Sequence, residues 1–137
     1  MISTRGRYAL RVMIDLAQQN SDDYIPLSTV AARQEISAKY LQQIVKVLVE
    51  EKMLTGISGK GGGYKLTRRP EEYSVGEILE LMEGTLAPVS CLAADGKECS
   101  RYSTCKTLPM WRQFDKMVHD FFAHITIADL VNGTFDF

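Results

Sequence analysis

Three cysteines, Cys91, Cys99 and Cys105, stand within the fifteen residues CLAADGKECSRYSTC, and the rest of the chain has none. Thiolates are the soft ligands that iron–sulfur clusters and zinc require, and clusters ordinarily take four. Three leave one position for a different ligand, which favours a reactive cluster suited to sensing over one suited to electron carriage. Zinc is the other metal this set could hold, although neither C-x-x-C nor a nearby histidine supplies the usual finger spacing. A bare thiol switch is a third reading. None of the three needs a disulfide, and the chain reads as cytoplasmic, a compartment where thiols stay reduced. The first residues lack a signal-peptide layout, and no apolar run approaches the ~18 residues of a membrane span.

A second group of chemistry-bearing residues lies upstream. Residues 1–69 hold eleven Lys+Arg against six Asp+Glu, and residues 70–137 hold five against eleven. The front half is therefore basic and the rear half acidic, so only the front is suited to meet a polyanion. In the front half, Ser37, Lys39, Tyr40, Gln42 and Gln43 follow one another at the start of an amphipathic run. Glutamine can pair bidentately with adenine, and lysine serves phosphates or guanine. Lys60 sits in a glycine-rich stretch, Gly59-Lys60-Gly61-Gly62, with Lys65, Arg68 and Arg69 behind it. A nucleotide phosphate loop is excluded there, since G-x-x-x-x-G-K-[ST] is absent and the glycines do not lead into a helix.

The elements that must position these residues can be read from periodicity. STRGRYALRVMIDLAQQ carries Tyr8, Ala9, Val12, Met13 and Leu16 at helical spacing. NSDDYIP breaks it, and a short helix follows in LSTVAARQE with Ser28 as the expected N-cap. Ser37 caps a third helix whose Leu41, Ile44, Val45 and Leu48 share one side, with Lys39, Gln43 and Lys46 opposite. LTGIS and GYKLT read as strands of a hairpin around the glycines. A helix-turn-helix followed by a basic hairpin is a winged helix. SVGEILELMEG carries a capping box, Ser74 with Glu77, and a stop at Gly84. Beyond the cysteines, Leu108, Trp111, Phe114, Val118, Phe121, Phe122 and Ile125 recur at three- and four-residue steps, which predicts one long helix. An aromatic stripe this far from the core calls for a partner subunit to cover it.

Taken in order, GRYALRVMIDLA, ISAKYLQQIVKVL, GKGGGYKLTRRP and VGEILELMEG resemble the IscR/NsrR/CymR superfamily of bacterial transcription regulators, the Rrf-two family, over nearly the whole chain. The resemblance implies a homodimer on palindromic double-stranded DNA, each subunit with a winged helix-turn-helix and a long dimerisation helix. It further implies an iron–sulfur cluster, 2Fe–2S, held by Cys91, Cys99 and Cys105, as in the IscR-like branch. CymR-like members lack these cysteines. Where IscR-like members place a histidine three residues after the last cysteine this chain has Leu108. Where NsrR-like members use a carboxylate it has Arg7, and where many wings carry an arginine it has Ser58. The fourth ligand is unassigned: Asp95, Glu98, Ser103 and Thr107 are near in sequence, and His119 and His124 lie further along.

The expected fold is thus mainly α: a winged helix-turn-helix domain over 1–84, a cysteine loop over 85–107, and a dimerisation helix with the C-terminal segment over 108–137. The expected function is regulation of transcription through an iron–sulfur cluster, directed at cluster assembly or related iron and redox genes. A cluster-free regulator controlled by thiols or a partner is the alternative. An iron–sulfur electron-transfer protein is the rival of another class. No Ser/His/Asp set and no paired carboxylates flanking a histidine are present, so no catalytic residue is assigned and no enzyme is expected.

Overall fold

The computed structural model describes residues 2–94, 96 and 99–134. Helices α1 (Thr4–Gln18), α2 (Leu27–Gln34) and α3 (Ala38–Glu50) are followed by strands β1 (Leu54–Ile57) and β2 (Gly63–Leu66). Then come α4 (Val75–Glu83), α5 (Leu108–Ala123) and α6 (Ile127–Asn132). The architecture is mainly helical with one two-stranded antiparallel hairpin, as expected.

The main core gathers Ala9, Val12, Met13 and Leu16 of α1 with Leu41, Ile44, Val45 and Leu48 of α3. Those are the apolar positions that the helical period selects. Ser37 accepts from Tyr40 N–H and so caps α3, satisfying a donor that the first helical turn cannot pair internally. Ser74 and Glu77 form the reciprocal capping box of α4, and Gly84 ends that helix at φ 79°.

The start of α2 differs from expectation. Ser28 is not its cap: the helix begins at Leu27 after Pro26, with no side-chain cap. The cause lies outside the helix. Ile25 forms a two-bond antiparallel bridge with Tyr64 of β2, both bonds 2.9 Å, and this fixes where the chain must turn. Pro26 then supplies a pre-set φ of −58°. The same bridge explains the glycine at 63. A Cβ there would stand 2.3 Å from the Ile25 carbonyl carbon, so no side chain fits.

The long helix expected after the cysteine loop is present as α5, and the C-terminal segment adds a short helix of its own. α5 ends at Ala123, Ile125 lies in the turn, and α6 packs back against α1. Thr126 and Asp129 make a second capping box, and Ile127 is fully buried in the main core. Ile127 N–H donates to the Tyr73 carbonyl at 3.0 Å, and Val75 N–H donates to the Ile125 carbonyl at 2.8 Å. The far end of α5 is thereby tied to the segment between the hairpin and α4.

Candidate nucleic-acid interface and cysteine loop

The turn between α2 and α3 sets where α3 points. Glu35 takes a left-handed conformation, φ 55°, at the end of α2. The turn is held from α1. Buried Asp15 accepts two bonds from Arg33, at 3.1 and 2.7 Å, and one from Gln34 Nε2 at 2.9 Å. Arg11 donates to both the side-chain and backbone oxygens of Gln34. A carboxylate taken out of water needs such partners, and here they also fix the turn.

Beyond the turn, Ser37, Lys39, Gln42, Gln43 and Lys46 are exposed on α3. Tyr40 is half-buried: its ring meets that of Tyr8 edge-on at 5.7 Å, and Arg11 lies 5.3 Å from the Tyr8 ring. Much of Tyr40 is therefore committed to packing. Ser37 keeps a hydroxyl proton to donate while its oxygen caps α3. Gln42 and Lys46 line a groove of 480 Å³ together with Gly56, Ile57, Ser58 and Tyr64 of the hairpin. Lys60 is exposed at the hairpin tip. The hairpin pairs Leu54 with Leu66 through to Ile57 with Gly63, and Gly59 and Gly61 in the tip have φ of 89° and 79°. Such backbone favours glycine, which leaves Lys60 as the one long side chain at the tip.

The cysteine loop runs from Gly84 to α5. Cys91 and Cys105 are half-buried and Cys99 is exposed, and all three are free thiols. Cys105 lies just before α5, and its thiol is held below the usual range by the Thr107 hydroxyl. The backbone N–H groups of Thr107 and Leu108 and the charge of Arg101 act in the same direction, and burial acts against them. The Cys99 sulfur accepts from Arg101 N–H at 3.5 Å. Cys99 lines a hollow of 300 Å³ with Ser100, Tyr102 and Ser103, which Cys91 and Cys105 do not share. Among the described residues no three His, Cys, Asp or Glu side chains stand together as a metal-holding group. The donor set fits an iron–sulfur cluster chemically: three soft thiols, one biased toward thiolate. Bringing all three to one cluster requires the loop to close, as is common where binding and ordering are coupled.

The remaining candidates for a fourth ligand are distributed as follows. Thr107 Oγ1 lies 3.3 Å from Cys105 Sγ. His119 Nε2 is 3.2 Å from Glu80 of α4, and its Nδ1 is 2.8 Å from the Asp115 carbonyl. His124 Nδ1 is 2.6 Å from the Asp120 carbonyl, so both imidazoles have partners on or beside α5. Asp95 and Glu98 lie outside the described residues.

The aromatic stripe of α5 divides into two faces. Val118, Phe122 and Ile125, each half-buried, pack on Val75, Leu79 and Leu86, and Leu108 is buried, so these four face their own chain. Met110, Phe114, Met117 and Phe121 are 55, 40, 58 and 47% exposed. Their spacing of four, three and four residues makes a continuous apolar seam of the heptad kind.

A family model described as Rrf2, iron-dependent transcriptional regulator, matches residues 2–133. The chain belongs to the Rrf2 family. The HTH-type transcriptional regulator IscR of Erwinia tasmaniensis is 30% identical over 132 residues, covering 96% of this chain and 79% of that protein. Among solved structures, CymR, the global cysteine regulator of B. subtilis, superposes with a TM-score of 0.78 at 30% identity, covering 98% of each chain. IscR of T. potens superposes with a TM-score of 0.74 at 29% identity, covering 97% of this chain and 87% of that one. Rrf2 proteins are DNA-binding transcription regulators and not enzymes, and that statement holds for this chain. Among the described residues no helix is long and apolar enough to cross a membrane.

Within this Rrf2 fold, the structure brings Gln42 into one groove with the hairpin, and leaves Lys39, Gln43 and Lys60 exposed. Sequence reasoning passed over Lys46, Ile57 and Tyr64, which line that groove. Lys46 carried a usable signal, lying on the same helical face as Lys39 and Gln43. Met110 and Met117 complete the exposed side of α5 and were not among the residues from which the stripe was read.

Proposed function

We propose that this Rrf2 regulator is a homodimer that reads a palindromic operator in double-stranded DNA and responds through a 2Fe–2S cluster on Cys91, Cys99 and Cys105. Ser37, Lys39, Tyr40, Gln42 and Gln43 face the operator from α3, and Lys60 contacts the backbone from the wing. Residues 1–84 form the DNA-binding domain, 85–107 the cluster loop and 108–137 the dimerising segment, the whole working in the cytoplasm. The target genes are those of iron–sulfur assembly or related iron and redox functions. The observation that carries this reading is the placement of every cysteine in one loop between α4 and α5, with Cys105 three residues ahead of the α5 start. When bound, the cluster supplies one-electron redox chemistry and a sensitivity to iron supply and oxidants. Holding it, the three thiols would draw the loop together beside the helix that joins the two protomers. A change in that joint alters the spacing of the two α3 helices, and half-sites about one DNA turn apart tolerate little change.

Sedimentation and DNA titration of the holo-protein and its Cys91→Ala variant test this. The reading requires a dimer in both and a changed affinity for the specific site. Equal specific affinity means that the cluster is not the switch. A second reading has support of its own. The structural likeness to CymR, and thiols not already gathered among the described residues, favour a cluster-free regulator acting through its thiols or a partner.

A further inference from the structure

Tyr73 is the bulkiest of the fully buried side chains, 0% exposed, with its ring in the main core. Its hydroxyl stands at the foot of the hairpin. There it donates to the Met53 carbonyl at 2.8 Å and accepts from Thr67 N–H at 2.9 Å and Arg68 N–H at 3.0 Å. Met53 immediately precedes β1 and Thr67 immediately follows β2, so one oxygen ties both feet of the hairpin together. Thr67 completes the knot, donating its hydroxyl to the Lys52 carbonyl at 2.8 Å. The Arg68 guanidinium lies 5.0 Å from the Tyr73 ring and bonds Glu77 at 2.8 Å. A ring alone would fill the core equally well. The hydroxyl adds only the tie to the hairpin, whose backbone is also anchored by the bridge to Ile25.

We propose that Tyr73 is a positioning residue for DNA binding: through its hydroxyl it holds the wing at a fixed angle to the core and so places Lys60. The proposal rests on the reading that the wing meets DNA. A hairpin loose at its feet must be ordered each time it engages, which lowers the fraction of complexes in which Lys60 is in contact. Tyr73 also accepts from Ile127 through its backbone carbonyl, so the wing and the root of α5 share this anchor.

The test is a double-mutant cycle on the full-length protein, with a long mixed-sequence duplex as probe because a backbone contact needs no operator. In the parent, Lys60→Ala should reduce the slope of log K against log salt by about 0.9. In the Tyr73→Phe background the same change should remove less than about half of that. A purely structural loss would lower stability and leave the Lys60 effect intact. An undiminished Lys60 effect in Tyr73→Phe overturns the proposal while the wing reading stands. No Lys60 effect in the parent overturns both. Thr67→Val loosens the same knot at an exposed position, should diminish the Lys60 effect likewise, and decides the matter should Tyr73→Phe fail to fold.

Discussion

Replacing Phe114 by alanine removes the ring from the middle of the exposed α5 seam. A phenylalanine side chain offers on the order of 200 Å² of surface. At 40% exposure this leaves roughly 80 Å² open on each protomer. If the seam joins two copies, both rings leave water together, about 160 Å² in all. At ~25 cal/mol per Å² the loss approaches about 4 kcal/mol, an upper value because alanine keeps its Cβ. That corresponds to a dimer constant weaker by about two to three orders of magnitude. The association entropy is common to parent and variant and cancels. Phe114 does not belong to either core cluster, so the melting of the folded chain should change by no more than about 0.5 kcal/mol. Sedimentation velocity across a dilution series measures the dimer constant, with exposed Gln113→Ala as the control. An unchanged dimer constant in Phe114→Ala would refute the assignment of this seam to the dimer interface.

Four other outcomes follow from the same structure. Gln43→Ala should weaken a preferred site by roughly 1–3 kcal/mol in DNA titration and leave mixed-sequence binding nearly unchanged. Ile127→Ala, at a fully buried position of α6, should cost about 2–5 kcal/mol in denaturant unfolding, which would not occur if α6 were a loose tail. Glu77 is pushed upward by burial, but the Ser74 N–H and hydroxyl together with the Arg68 guanidinium outweigh this and hold its carboxyl below the usual range. A depressed folded-state pKa stabilises above the unfolded value of about 4.3 and is lost as pH falls through the folded one. Glu77→Gln should therefore be less stable than the parent at neutral pH, and the gap should close in acid. In the cluster loop, Cys99→Ala should leave the dimer constant unchanged, since the α5 seam contains no thiol.

What was legible in the sequence was whatever neighbours within one turn of chain decide. Ser37 and Ser74 cap their helices because the groups they satisfy are three residues away, and Gly84 stops α4 for a similar local reason. Ser28 failed as a cap because Ile25 is claimed by Tyr64, a pairing that no local pattern reveals. The glycines of the hairpin announced a tight tip, yet the strict demand at Gly63 comes from that same distant bridge. Residues 126–133 held their own signals, a Thr126/Asp129 box and Gly133 in the left-handed region, but the aromatic period running up to Ile125 hid the break. That period also merged two faces of α5. Only packing against Val75, Leu79 and Leu86 separates Val118 and Phe122 from the Met110–Phe121 seam. The three cysteines were plain, whereas a fourth ligand depends on how the loop closes and on what a second protomer brings near it.

The central claim is that three thiols in one loop hold an iron–sulfur cluster. Its most direct test is the visible absorption spectrum of anaerobically purified protein, with iron and acid-labile sulfide measured on the same sample. The account requires a coloured protein containing both iron and sulfide, and a colourless Cys99→Ala variant, since two thiolates anchor a cluster too weakly. A colourless parent protein, or one carrying stoichiometric zinc in place of iron and sulfide, would contradict it.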